Sequence, residues 1–214
     1  MHSLYQRIVS LEQKNGYERI GQEETKERLG TIEERLTSMP DGLARRFCHG
    51  RYVWRISQLT SKLRQHQEQP SSSGHRPRPL VLYSPAFYTA PTLGYKVCLR
   101  CHFHHSEEAG EEKHLGLFLH LMPGEDDDML EWPFSGQITL KLKSRLGSHL
   151  DLVEVMNTPP NGLSAFEKPL IQTPRNPMGF GHQEFIKVRD LCSARFWDPH
   201  NDTIAIVVHV QENT

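Results

Sequence analysis

The sequence predicts an all-β fold, an eight-stranded antiparallel β-sandwich preceded by an α-helical coiled coil. Three observations carry this. A heptad frame opens the chain: alternating steps of four and three from Leu4 land on Ile8 and Leu11, then on four polar residues, then on Leu29, Ile32, Leu36, Met39 and Leu43. Pro40-Asp41-Gly42 then stops the helical period. Beyond it the pattern changes to short alternating runs separated by turn residues, with no long helix between them.

Residues on such a seam share one helical face that a single helix cannot bury, so the spacing predicts association with partner chains. The part beside the head is the better half, with Leu29, Ile32, Leu36 and Met39 in register. The middle is weak: its seam is polar, and Gly16 and Gly21 each cost about 1 kcal/mol relative to Ala. An amphipathic helix packed on its own domain is the plainer alternative.

The strands expected next span 51–56, 80–83, 95–103, 114–121, 137–143, 150–155, 185–187 and 203–210. Pro85, Pro123-Gly124, Gly147-Ser148, Pro159-Pro160-Asn161-Gly162 and the prolines at 174 and 177 punctuate them. Residues 61–79 are Ser/Pro-rich and polar and are expected to be a loop, and 104–113 a charged hairpin tip.

The formal net charge of -1 offers no bulk attraction to nucleic acid or anionic lipid. No apolar run approaches the roughly 20 residues of a membrane span, and the N-terminus lacks the apolar core of a signal peptide. Four scattered cysteines do not make a secreted disulfide framework, so the default expectation is a soluble, reduced, cytoplasmic protein.

Cys98-Leu99-Arg100-Cys101-His102 invites a zinc reading. Inside a strand that spacing sends the two thiols to opposite faces, so no metal and no cofactor is expected. Glu125-Asp126-Asp127-Asp128 lacks the alternating oxygens of a calcium loop and is expected to be a solvated turn. A zinc or serine hydrolase built from the thirteen histidines stays as the enzyme alternative, though no phosphate loop, dinucleotide fingerprint or nucleophile elbow supports catalysis.

Five blocks lie in order: Tyr52-Val53-Trp54-Arg55-Ile56, Tyr83-Ser84-Pro85-Ala86-Phe87-Tyr88, Gly94-Tyr95-Lys96-Val97-Cys98-Leu99-Arg100, His114-Leu115-Gly116-Leu117-Phe118-Leu119 and Trp132-Pro133-Phe134. Together they resemble the C-terminal domain of the tumour necrosis factor receptor-associated factors, the TRAF or MATH domain. Leu163-Ser164-Ala165-Phe166 and Pro174-Arg175-Asn176-Pro177-Met178-Gly179-Phe180-Gly181 narrow the resemblance to one branch. That branch is the adaptor and ubiquitin ligase of Toll/interleukin-1 receptor and CD40/RANK signalling.

The resemblance implies a trimerising stalk over 1–45, with Leu29, Ile32, Leu36, Met39 and Leu43 on its seam, and a peptide-binding domain over 47–212. The implied partners are further copies of the chain, together with receptor tails or adaptor proteins carrying Pro-x-Glu-x-x-aromatic/acidic motifs. Membranes are reached only through receptors. The implied peptide adds to a sheet edge. Backbone N–H groups at Ser164 and Ala165 hold its glutamate, Phe118 and Gly181 lie near its proline, and Arg100, Phe180 and His182 meet its terminal aromatic or acidic residue.

His102 and His182 stand where the family usually has tyrosine, so the implied site also includes His102. No RING or zinc finger is present in the sequence, so ligase activity would belong to a longer protein. A MATH module that selects degradation substrates is the interaction-class alternative.

Overall fold

The computed structural model describes residues 42–68, 79–103, 113–160 and 162–213. Leu29, Ile32, Leu36 and Met39 lie outside these, as does most of the 104–113 segment, while Leu43 is 51% exposed. The chain divides into two units, Met1–Ala44 and Arg45–Thr214, and the second carries the fold.

The strands of this unit are β1 (Arg51–Ser57), β2 (Leu80–Tyr83), β3 (Phe87–Tyr88), β4 (Lys96–Phe103), β5 (His114–Met122), β6 (Gly136–Leu142), β7 (Leu152–Asn157), β8 (Phe180–Lys187) and β9 (Thr203–Glu212). Two short helices join them, α1 (Leu59–Glu68) and α2 (Val188–Leu191). One sheet runs β1-β9-β6-β7 and the other β2-β4-β5-β8, with β3 added against β4. Every pairing is antiparallel, so the expected β-sandwich is present.

Alternation explains the layering. Ile138, Leu140 and Leu142 of β6 face inward with Ile204, Ile206, Val208 and Val210 of β9. Val97, Leu99, Cys101 and Phe103 of β4 meet them from the other sheet, beside Leu115, Leu117, Leu119 and Leu121 of β5. Because side chains alternate across a strand, Cys98, Arg100 and His102 are turned to the opposite, outer face.

Four features differ most from the sequence expectation. Nine strands form among the described residues rather than eight, because Phe87–Tyr88 pairs with β4 over only two residues. α1 runs into the stretch expected to be a loop: Leu59 is fully buried and Leu63 packs on the same core, a spacing of four that uses one helical face. The Asp202 carboxylate secures its start by accepting the Thr60 N–H at 3.0 Å and the Thr60 hydroxyl at 2.8 Å. Ser148–Leu150 forms a 3-10 turn, so β7 starts at Leu152. β8 begins at Phe180, well before the apolar Phe185-Ile186 pair that marked it.

Candidate functional site

Among the described residues β8 is the edge of its sheet, with β5 on one side and an open row of backbone groups on the other. Cross-strand partners share a face, so register decides what stands beside that edge. Arg100 lies opposite Phe118, His102 opposite Gly116, and Phe118 opposite Gly181. These residues therefore run in a band across the outer face from β4 to the edge.

The band is packed by its rings. The Arg100 guanidinium carbon sits 4.6 Å from the Phe118 ring centroid, and the His102 ring stacks on Phe118 at 5.3 Å with a 12° interplanar angle. Glycine is required where the band meets the edge. A Cβ on Gly181 would stand 2.0 Å from the Leu117 carbonyl oxygen and 2.7 Å from the Phe118 Cα. The result is a floor without side chains beside a stacked cation and two rings, open to the unpaired backbone of β8.

Phe180 and His182 are placed differently from the sequence expectation. Phe180 pairs with Leu119 and His182 with Leu117, both core residues, so their side chains turn to the inner face. Phe180 packs on buried Phe166 at 4.9 Å. His182 Nε2 lies 3.8 Å from Glu154 Oε2 on β7, the edge strand of the other sheet. They shape the rim of the same edge and do not stand beside Arg100.

Ser164 and Ala165 open a 3-10 turn over Ser164–Phe166. The first N–H groups of such a turn have no partner within it, which leaves them available to an acceptor. Asn176 fixes this turn, and sequence reading did not single it out. It is 6% exposed, and its side-chain amide donates to the carbonyls of Glu167 at 2.8 Å and Ala165 at 3.3 Å. Its own N–H donates to Leu121 O at 2.8 Å, tying the turn to β5.

His120 Nδ1–H donates to the Asn176 carbonyl at 2.8 Å, and its Nε2 is buried without a partner. Burial lowers the His120 pKa, and the nearby Arg100 and Arg175 charges lower it further, so the ring is neutral. His120 and Asn176 were legible only in part. His120 falls two positions after Phe118, hence on the same face, but nothing local announces its carbonyl partner.

The Cys98 and Cys101 side chains do point to opposite faces of β4, and burial pushes the Cys101 thiol up to about 12. Among the described residues no group of three His, Cys, Asp or Glu side chains is arranged to hold a metal. Glu125 to Asp128 is more than a solvated turn. Asp127 is 7% exposed and accepts the Gly124 N–H at 2.9 Å, while Arg46 binds Asp126 at 2.6 Å and Glu125 at 3.1 Å. The turn is a clasp on the start of the domain.

Comparison with known proteins agrees with this architecture. Residues 79–207 match the TRAF/meprin, MATH domain family. TNF receptor-associated factor 6-A of Xenopus laevis is 34% identical over 185 residues, 86% of this chain and 30% of that protein. The mouse TNF receptor-associated factor 6 is 32% identical over 197 residues, 91% of this chain and 33% of that protein. The chain thus spans about a third of the length of these relatives. A solved structure of Notothenia coriiceps TRAF5 aligns with a TM-score of 0.64 at 21% identity, covering 96% of this chain and 95% of that one, and shares its fold. The ordered blocks, the two antiparallel sheets and the matched residues together place this chain in the TRAF/meprin MATH-domain family.

Proposed function

We propose that this chain is the ligand-binding part of a trimeric cytoplasmic signalling adaptor. It takes Pro-x-Glu-x-x-aromatic/acidic peptides from receptor tails or upstream adaptors. A MATH domain is a protein-interaction module rather than a catalytic one, and the similarity to TNF receptor-associated factor 6 supports the adaptor reading. The carrying observation is one edge strand with two features beside it: the outer-face band of Arg100, Phe118, His102 and Gly181, and the clipped Ser164-Ala165 turn.

The physical logic has three parts. Main-chain bonds along β8 supply affinity without sequence choice. The Ser164 and Ala165 N–H groups select a carboxylate, in the manner of any helical N-terminus. Arg100, held over Phe118, offers both charge and a planar face to the peptide's terminal residue. Phe180 and His182 act from the inner side by setting the shape of the rim.

A single small groove that must order a flexible tail binds weakly. Three coupled heads on a stalk through Leu29, Ile32, Leu36, Met39 and Leu43 raise avidity for clustered receptors. The pathway assignment towards NF-kappaB and JNK, in Toll/interleukin-1 or tumour necrosis factor receptor signalling, follows the same resemblance. Any ligase activity belongs to regions outside this sequence. An array of peptides varied at the proline, glutamate and terminal positions tests the reading. Binding that depends on all three supports it, and binding indifferent to the glutamate overturns it.

A further inference from the structure

Several arginines of the described unit answer an oxygen. Arg46 and Arg145 pair with carboxylates, and Arg195 donates to the Leu150 carbonyl. Two on the outer face do not. Arg100 stacks on Phe118, and the Arg175 guanidinium carbon lies 3.6 Å from the Tyr83 ring centroid. Among the described residues neither forms an ion pair, and each has its Nε buried with no acceptor.

The two are neighbours through shared contacts. Tyr83, which carries Arg175 on its face, is the cross-strand partner of Arg100. Cys98, opposite His120, feels both: burial raises its thiol pKa, and the Arg175 charge, a side-chain hydrogen bond with Arg175 and the Arg100 charge oppose that rise, while a thiol neutralises neither guanidinium. Arg175 is also pre-positioned, since the adjacent Asn176 is fastened to Leu121 through its N–H and to His120 through its carbonyl. Two unneutralised guanidinium groups held on rings around one half-exposed tyrosine form a site with an excess of two positive charges. Buried donors without acceptors are costly, and a polyvalent oxyanion relieves that cost.

We propose that this site receives a phosphorylated side chain of the bound peptide, with Arg100 and Arg175 closing on one phosphoryl group. One carboxylate neutralises one guanidinium, whereas a phosphomonoester carries about -1.5 to -2 charge at pH 7 and three acceptor oxygens. The inference rests on the peptide-binding reading above and names a ligand class for its terminal position.

The test uses the full chain and three Pro-x-Glu peptides that differ three residues after the glutamate, bearing Ser, Glu or phosphoserine there. Titration calorimetry is expected to show the phosphoserine peptide binding at least tenfold tighter than the serine one and about fivefold tighter than the glutamate one. Arg175→Gln removes most of the preference for phosphoserine over glutamate, and Arg175→Lys restores part of it, because charge returns without the planar fork. Thermal transitions of each variant show whether the domain is folded.

Equal affinity for the phosphoserine and glutamate peptides, or a preference that survives Arg175→Gln in a folded protein, overturns the proposal. If none of the three peptides binds, the peptide reading itself has failed. The arginine pair is then judged with inorganic phosphate at matched ionic strength. Thermal stabilisation lost in Arg100→Gln and Arg175→Gln keeps the oxyanion site, and its absence removes it. Arginine-dependent binding to phosphoinositide vesicles with no phosphopeptide preference would assign the site to lipid and overturn the peptide assignment.

Discussion

Asn176→Ala removes the side chain that holds the Ser164–Phe166 turn while leaving its backbone bonds to Leu121 and His120 in place. The two amide hydrogens lose their bonds, principally at 2.8 Å to Glu167 O and 3.3 Å to Ala165 O, with a longer contact at 3.5 Å to Ser164 O. Each contributes about 1 kcal/mol net, and a buried carbonyl left without a donor costs roughly 1–3 kcal/mol more. The expected loss is about 2–4 kcal/mol, which for a domain of this size lowers Tm by roughly 5–15 °C.

The functional effect is separable from the stability loss. Measured well below the transition, a peptide carrying Pro-x-Glu loses more than tenfold in affinity, because the Ser164 and Ala165 N–H groups are no longer held in one geometry. Differential scanning calorimetry and peptide titration on the same samples read both effects. A Tm within about 2 °C of the parent, together with affinity within twofold, would refute the assignment of Asn176 as the clip.

Arg100→Ala leaves Tm within a few degrees, since the side chain contributes a cation–π contact and, among the described residues, no ion pair, while affinity for a Glu-terminated peptide falls roughly tenfold. Large unfolding with unchanged affinity per folded molecule would make Arg100 structural. The chain is expected to sediment as a trimer, and Leu29→Asp with Leu36→Asp is expected to yield a folded monomer, because charge on an apolar seam has no partner. A monomeric parent at about 50 µM would remove the stalk from the account. Burial opposes ionisation of Asp202, but its bonds from the Thr60 N–H, the Trp197 indole N–H and the Thr60 hydroxyl prevail and hold its pKa below the ordinary value. Its stabilisation is therefore present above pH about 4 and fades as pH falls through the lower folded value. Asp202→Asn should differ most from the parent near neutrality and converge with it in acid, as chemical denaturation across pH 7 to 3 will read.

The sandwich was legible because its inner strands alternate. Ile138-Thr139-Leu140-Lys141-Leu142 and Ile204-Ala205-Ile206-Val207-Val208 state which face is buried, and the prolines and glycines between runs state where the chain turns. β8 was only half visible, since Gly181, Gln183 and Glu184 give it no apolar period before Phe185. α1 was hidden because two leucines four apart, Leu59 and Leu63, are its whole apolar signal in a polar stretch.

The site shows the same division. Arg100, His102 and Phe118 could be assigned to one surface from strand period and family resemblance. The inward turn of Phe180 and His182 depends on the register of β8 against β5, which a one-residue slip would reverse. His120 lies far in sequence from the neighbouring pair Arg175 and Asn176, and only the fold brings it to them.

The most direct test of peptide capture at the β8 edge is amide hydrogen exchange, with and without a saturating Pro-x-Glu-x-x-Tyr peptide. The account predicts new protection at the unpaired N–H groups of β8 and at Ser164 and Ala165, with no comparable change along β7, and no effect when the peptide's glutamate is replaced by alanine. Protection on β7 instead, or protection that the alanine peptide reproduces, would contradict it.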